Sequence, residues 1–562
     1  MRRLLASVVS AVLAGSVLAV PVSLASAAPL TQPVVDAAVQ VTTDSGLARG
    51  HATPALAVDP KDPQILVEAD SEAYASRCGV HVSRDGGLTW SQASQPPTPP
   101  DWQGCGFAVT GVMASLAFTP NGTLYYTFSA FQPSTYQQRI YFASSTDLGV
   151  SWTTTALPRI GPDPPKQQYG ADAMPSLLVD RSDPNRVYVA WWSNNGTWNM
   201  PTAITGLTSS AWCRLVAAPI IARPWLAVSS DGGRTFSAPV DMAPGIDKCT
   251  TEPYLAQAKD GSLLAFFGQS TRSTTPGQAP PAHLFMSASH DQGRTFSVST
   301  VNVQAARTDP GAATATSDWL SGPSPKVDPK NGDIYVTWES LGASVPAILF
   351  KRSTDGGKNW DPVVKVNDAD PPRAWHFPQE FPTMSVAPNG RVDIAWYDYR
   401  NDLGAAGASS DSFQDVYYSY STDNGRTFSK NIRVNDRVID RRFGPWQGSI
   451  DGPLGIVSRN TSVNVAWDDT RNGNATTAAQ DIYFTRIRYT SAAGIYGSAT
   501  TGSRTNPWLA GLLGAAIAIV GCGVVILLLA QTGRRRPDGA PPPAAPAASP
   551  PKTEPVPEPS VN

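Results

Sequence analysis

The sequence predicts an all-β fold, a β-propeller of four-stranded blades. Three observations carry the prediction. An octapeptide opening S-x-D and closing on Trp or Phe occurs six times: SRDGGLTW from Ser83, STDLGVSW from Ser145, SSDGGRTF from Ser229, SHDQGRTF from Ser289, STDGGKNW from Ser353 and STDNGRTF from Ser421. The same short apolar stretches return around these copies, whose aspartates lie 60 to 84 residues apart, the length of a unit with four short strands. Long amphipathic helical patterns are missing, while the 562 residues include 46 Gly and 51 Pro, which favours short strands joined by turns.

The elements of one unit follow in order. A first strand reads PALAVDP from Pro54, ASLAFTP from Ala114, PSLLVDR from Pro175 and PTMSVAP from Pro382. A turn rich in Asp, Pro, Asn and Gly comes next. A second strand reads VYVAWW from Val187, IYVTWE from Ile334 and VDIAWYD from Val392. A third leads into the octapeptide, as PWLAVSS from Pro224 or DVYYSYS from Asp415, and a fourth leaves it, as TFSAPVDM from Thr235. The octapeptide therefore spans the turn between strands three and four. Its aspartates, Asp85, Asp147, Asp231, Asp291, Asp355 and Asp423, suit a turn because a carboxylate accepts nearby backbone N–H groups. The Gly two residues later takes positive φ at little cost. The closing aromatic is placed to pack between neighbouring sheets. A motif repeated in every unit reads as scaffold rather than as a repeated active site.

This octapeptide resembles the Asp box of the sialidase-like (BNR) propellers. The resemblance covers about residues 50 to 490 and implies a propeller in which the box is structural and lies away from the substrate. Seven first strands are found against six boxes, so seven blades are expected, with six as the alternative. The last unit, from Asp451 through VNVAWDD at Val463 and DIYFTRIRY at Asp481, lacks a fourth strand. VQVTTD from Val39 is similar to the fourth strands VKVND at Val364 and IRVND at Ile432. It is expected to complete that blade from the chain start, closing the ring and removing exposed sheet edges.

The flanks suggest export and anchoring. Arg2 and Arg3 precede an apolar run and the small residues ASAAP, so residues 1–27 read as a signal peptide and 28–490 as the propeller. After a linker (491–507), residues 508–530 are uncharged and long enough to cross a bilayer. Arg534, Arg535 and Arg536 follow, which places the C-terminus in the cytoplasm and the propeller outside a single-pass membrane protein. The Pro-rich tail (531–562) reads as disordered, with its cytoplasmic partner unknown. The formal charge of −2 and the lack of a basic stripe speak against a nucleic-acid partner. Cys522 falls in the span. The other four cysteines are expected to pair as Cys78–Cys105 and Cys213–Cys249, each closing a local loop in an oxidising compartment.

Ligands of propellers usually bind on the face opposite the box turns. The residues leading into the first strands carry acids there: Asp172, Glu252, Asp318, Glu380 and Asp451. Two such carboxylates suit the acid and nucleophile of glycoside hydrolysis. They also suit a structural Ca²⁺, a hard ion that takes oxygen ligands, or simple turn capping. No spacing marks a metal site, and no cofactor is expected beyond that Ca²⁺. The second-to-third loops share W-x-D-x-R-N, in which Arg400 and Arg471 either pair with Asp398 and Asp469 or clamp a ligand carboxylate. A long loop from Ser193 carries Trp198 and Trp212, candidate stacking surfaces for a sugar. Sialidases use a Tyr–Glu nucleophile pair and an Asp acid/base; here Tyr254, with Glu252, Asp172, Glu380, Arg400 and Arg471, is a candidate by position only, and no family role is carried over to it. The resemblance also implies an arginine in an F/Y-R-I-P motif, where this chain has HATPAL with Ala52 in the arginine's place. The expectation is a surface-anchored propeller that recognises glycans or other extracellular polymers, with exo-sialidase-like or other glycoside hydrolase activity from the acids. The alternative is a non-catalytic propeller that holds a protein partner.

Overall fold

The computed structural model describes residues 33–44, 46, 49–72, 75–105, 115–135, 137–160, 168–199, 222–246, 250–269, 282–304, 322–340, 347–368, 379–402, 412–444 and 452–489. All lie in one compact unit, Met1–Gly494. The predicted signal peptide, membrane span and tail fall outside the described residues, as do Cys213, Cys249, Trp212, Asp318 and Asp451. Among the described residues no helix is long and apolar enough to cross a membrane.

The described strands make seven antiparallel blades of four strands each. In the first blade the order is His51–Val58, Leu66–Glu72, Arg77–Ser83 and Ser91–Gln92. In the last, Gly455–Arg459, Ser462–Asp469 and Asp481–Arg488 are joined by Val39–Gln40 from the chain start, with Val39 paired to Phe484 and Gln40 to Tyr483. The ring therefore closes as the sequence predicted, with seven blades rather than six. The likeness of the closing strand to true fourth strands has a physical basis. Asn367 and Asn435 each accept the N–H of a third-strand residue, Ile348 at 2.9 Å and Val416 at 2.8 Å. Thr42 does the same for Ile482 at 3.1 Å.

The box turns share one geometry. In the third blade Ser229 Oγ donates to Asp231 Oδ1 (2.8 Å) and accepts from the Gly233 N–H (2.8 Å). Thr235 donates its N–H and its hydroxyl to the two oxygens of Asp231 (2.9 and 2.6 Å). Asn359 replaces that hydroxyl with its amide in the fifth blade, reaching Asp355 at 2.7 Å. The closing aromatics lie against the preceding blade, Trp90 on Phe484 (5.3 Å between centroids), Phe236 on Phe142 (5.5 Å) and Phe428 on Phe350 (5.1 Å). Each box thus holds its own hairpin and cements one blade to the previous one.

These hydrogen bonds, the hydroxyl of Thr89, Ser151 or Thr235 foremost, hold Asp85, Asp147 and Asp231 down to about 2. Asp355 is held equally low, first by the Asn359 N–H. A carboxylate depressed in the folded state stabilises the fold fully above its unfolded value of about 3.9, and that stability is lost as pH falls toward about 2. The melting temperature is therefore expected to fall between pH 4 and 2, and less steeply in Asp231→Asn. Thermal melts followed by circular dichroism check this; an unchanged melting point across that range would contradict it.

The second half of the cysteine prediction lies outside the described residues, but Cys78 and Cys105 are bonded. They tie the third strand of the first blade to the segment leading into the second. One element differs from expectation. Trp198 does not sit in a loop: the second strand of the third blade runs Val187–Asn199, and Trp198 pairs with Tyr169. The first strand, Gln168–Val179, is lengthened to match, so pairing partners exist for residues that carry no strand alternation of their own.

Candidate functional site

Of the predicted acids, Asp172, Glu252 and Glu380 are described, and they lie where first strands begin, on the face opposite the boxes. All the first strands but that of the second blade have a proline in or just before them, and three of them bulge there. The register slips between Ala52 and Ala55, Ala173 and Ser176, and Glu380 and Thr383. The residue just before each of these prolines is left-handed: Thr53 (φ 56°), Met174 (φ 55°) and Phe381 (φ 51°). Left-handed backbone is costly for such side chains, and a bulge re-aims the residues around it. The consequence is that the acids are not equivalent. Asp172 stands three residues before its proline, Glu380 and Asp451 two, and Glu252 one. Neighbouring strand residues face opposite ways, so no symmetric ring follows from the repeat.

Asp172 is buried, accepts from Ser193 Oγ at 2.6 Å and lies 3.8 Å from Arg159 Nε. Burial raises its carboxyl above the ordinary range in spite of Arg159. Glu252 is buried too, and its Oε1 accepts from the Tyr254 hydroxyl at 3.4 Å. Burial first, and then the Glu252 charge, push the Tyr254 phenol well above its usual value. Glu380 is described by backbone alone, paired with Tyr397.

The two W-x-D-x-R-N loops are built alike. Asp398 accepts from Trp396 Nε1 (2.9 Å) and from Arg400 Nη2 (2.7 Å), and Arg400 lies 4.0 Å over the Tyr417 ring. Asp469 accepts from Trp467 Nε1 (3.0 Å) and Arg471 Nη2 (2.8 Å), and Arg471 lies 3.9 Å over Tyr483. Arg400 also reaches Asp368 and Arg471 reaches Asp436. Both guanidinium groups therefore brace their own blades, the first of the two uses read from the sequence.

Two further clusters are assembled only by the fold. The first joins the last blades. Arg441, fully buried in the short 3-10 turn Arg441–Phe443, donates to Asp468 (2.6 Å), Gln414 (2.7 Å) and Gln480 (3.2 Å). The Tyr397 hydroxyl donates to the same Asp468. Gln480 continues the chain of contacts to the carbonyl of His51.

The second cluster lies inside the first blade. Glu68 and Asp70 on the second strand, His81 on the third and His51 on the first are all buried. His81 Nδ1 is 3.0 Å from Glu68 Oε2 and 3.3 Å from Asp70 Oδ2. His51 Nδ1 is 2.7 Å from Asp70 Oδ1, and its Nε2 is 3.0 Å from Asp44. Burial, with the charge of Asp70 next, raises the Glu68 carboxyl. Burial opposes ionisation of Asp70, but the two imidazoles hold it low. Burial likewise disfavours charge on His51 and His81, yet the carboxylates around them raise His51 to about 10 and His81 to about 9. The signal in the sequence was acidic residues at 68 and 70, in a strand whose counterparts are apolar. The His81 partner needed the strand register, Glu68 opposite His81.

A cavity of about 190 Å³ lies on the other side, at the seam of the fifth and sixth blades, lined by Phe350, Arg352, Asp361, Val364, Asn424 and Arg426. It includes box residues and none of the predicted acids.

Six boxes on a closed ring of seven blades define a seven-bladed Asp-box β-propeller. No protein-family model matches the chain, and no curated protein does. Solved structures with a similar fold include a protein of unknown function from Dyadobacter fermentans (14% identity, 70% of this chain and 100% of that one, TM-score 0.41). Another is the Hadza microbial sialidase Hz136 (14%, 75% and 73%, TM-score 0.42). A third is an alpha-L-arabinofuranosidase of Fusarium graminearum (13%, 69% and 98%, TM-score 0.43). At these identities the likeness concerns the fold alone, and the chemistry of this chain has to be argued from its own residues.

Proposed function

We propose that this protein is a surface-held propeller that binds a glycan at the face opposite its boxes and hydrolyses a glycosidic bond there. The observation that supports it most is the Tyr254–Glu252 contact, at the start of a first strand that packs against the first strand carrying Asp172. In this reading Glu252 takes the phenol proton as Tyr254 Oη attacks the anomeric carbon. Asp172, raised by burial, protonates the leaving oxygen as the glycosidic bond breaks, and water then releases the sugar. The sugar is a neutral one. Ala52, buried at 1% exposure, occupies the position where a carboxylate-binding arginine would be needed for a sialoside. Export by residues 1–27 and anchoring by residues 508–530 complete the proposal.

The test is turnover by the full chain in membranes against fluorogenic glycosides, neutral furanosides and pyranosides beside a sialoside. Neutral glycosides are expected to be cleaved, and Glu252→Gln and Tyr254→Phe each to lower kcat by about 10²–10⁴-fold. Truncation before Trp508 is expected to move the activity to the medium. Retention on an immobilised glycan without turnover, from folded protein, would replace hydrolysis with binding alone.

A further inference from the structure

We propose that the first blade holds a divalent transition-metal ion of the Zn²⁺ class on Glu68, Asp70 and His81. The departure of this blade from its own repeat is the starting point. Strand register aligns the blades from the box serine, and the residues four before it pair across to the second strand. In the other six blades that pair is large and apolar: Phe128–Tyr141, Trp191–Trp225, Phe267–Phe285, Trp338–Leu349, Trp396–Tyr417 and Trp467–Tyr483. In the first blade it is Asp70–Gly79. One step along, where Val189, Val336, Ile394 and Val465 fill the same position, stands Glu68 opposite His81. The large apolar pair has been exchanged for a carboxylate and a glycine, at which any Cβ would collide with Asp70, 2.2 Å from its Oδ2, and the neighbouring aliphatic for a second carboxylate facing an imidazole. Removing aromatic packing and burying carboxylates both cost stability unless something neutralises them.

The geometry is that of a ligand set. The three donor atoms lie within 4.8 Å of one another, and all three residues are buried. Two metal bonds of about 2.0–2.1 Å at a tetrahedral angle put ligand atoms about 3.3 Å apart. His81 Nδ1 lies 3.0 and 3.3 Å from the two carboxylates. A single imidazole N–H cannot donate well to both. Accordingly Asp70 Oδ2 is buried without a hydrogen-bond partner; Glu68 Oε1, the oxygen turned away from His81, is buried without one as well. A metal at this point takes the Nδ1 lone pair and one oxygen from each carboxylate, and leaves a fourth position for water. His51, 2.7 Å from the other oxygen of Asp70 and held in turn by Asp44, orients that ligand from behind, as second partners do in metal sites. The imidazole selects a first-row transition ion over Ca²⁺.

The site also stands at the ring closure. The His51 N–H donates to the Gln480 carbonyl of the last blade and the His51 carbonyl accepts from the Gln480 side-chain amide, while Asp44 belongs to the segment that follows the closing strand. The ion therefore stabilises the closed ring.

The test uses the full chain, expressed with Zn²⁺ in the medium and purified without chelator. One Zn²⁺ per chain is expected by elemental analysis, with a melting point lowered by EDTA and restored by Zn²⁺. Co²⁺ loaded in its place should give the visible absorption of a low-symmetry four-coordinate site. His81→Ala and Glu68→Gln should lose the metal, while His290→Ala, at an exposed box, keeps it. Should either variant fail to fold, the wild-type stoichiometry and Co²⁺ spectrum decide. No bound metal in the wild type after refolding with Zn²⁺ or Co²⁺, or full retention in folded His81→Ala, overturns the proposal.

Discussion

Gly233→Ala is expected to destabilise the propeller by about 3–5 kcal/mol, whereas Gly245→Ala costs about 1–2 kcal/mol. Both glycines are left-handed, with φ of 86° and 80°, so both substitutions carry the strain of an L residue there. They differ in their surroundings. A Cβ at Gly245 meets nothing within 4 Å, while one at Gly233 falls 1.9 Å from a ring carbon of Phe142 in the preceding blade. Phe142 is itself buried against Tyr125 and Phe236 and has nowhere to move, so overpacking adds to the strain. Four of the other five boxes repeat the contact: Gly87 meets Phe484, Gly293 Leu226, Gly357 Met286 and Gly425 Phe350, while at Gly149 the preceding blade offers only the small Ala93, at 3.2 Å. The box glycine is thus the point at which one blade seats on the last. Urea unfolding of the two variants checks this; equal losses would show that backbone strain alone explains the glycine.

Asp468→Ala is expected to cost about 3–5 kcal/mol, because it leaves the fully buried Arg441 guanidinium charged without its partner. Arg441→Leu combined with Asp468→Ala is expected to recover much of that loss, since an apolar replacement of both partners removes the desolvation penalty together with the attraction. The contacts of Arg441 and of Tyr397 to Asp468 cross from the sixth-blade side to the seventh. The same loss should therefore appear as earlier opening of that seam in amide exchange. A double variant as unstable as Asp468→Ala alone would contradict the account.

Much of this molecule was legible in the linear sequence because its repeat is local. A box is eight residues that bond to one another, so its Ser, Asp, Gly and Thr had to appear together. The closing strand at Val39 was legible because Thr42 stands where Asn367 and Asn435 stand. The Arg400 and Arg471 pairs were legible because each partner is two residues away. The candidate site was less so. Asp172, Glu252 and Glu380 looked alike beside their prolines, but bulges at Thr53, Met174 and Phe381 shift which residue faces which way, and no residue type announces a bulge. Trp198 read as loop because the extension of a hairpin depends on its partner strand.

The sequence by itself determined the blade, whose hydrogen bonds and apolar alternation fall within some tens of residues, and it pointed to seven blades and to the closing strand because VQVTTD from Val39 repeats the pattern of a fourth strand, although its partner Phe484 lies at the other end of the propeller. Only the tertiary structure decided which buried charges meet. Arg441 finds Asp468 across a blade seam. Asp70 and Glu68 meet His81 through register and His51 through the inner strand. Such groups are stable inside a protein only when paired, and the pairing is a property of how the blades stack rather than of any stretch of chain.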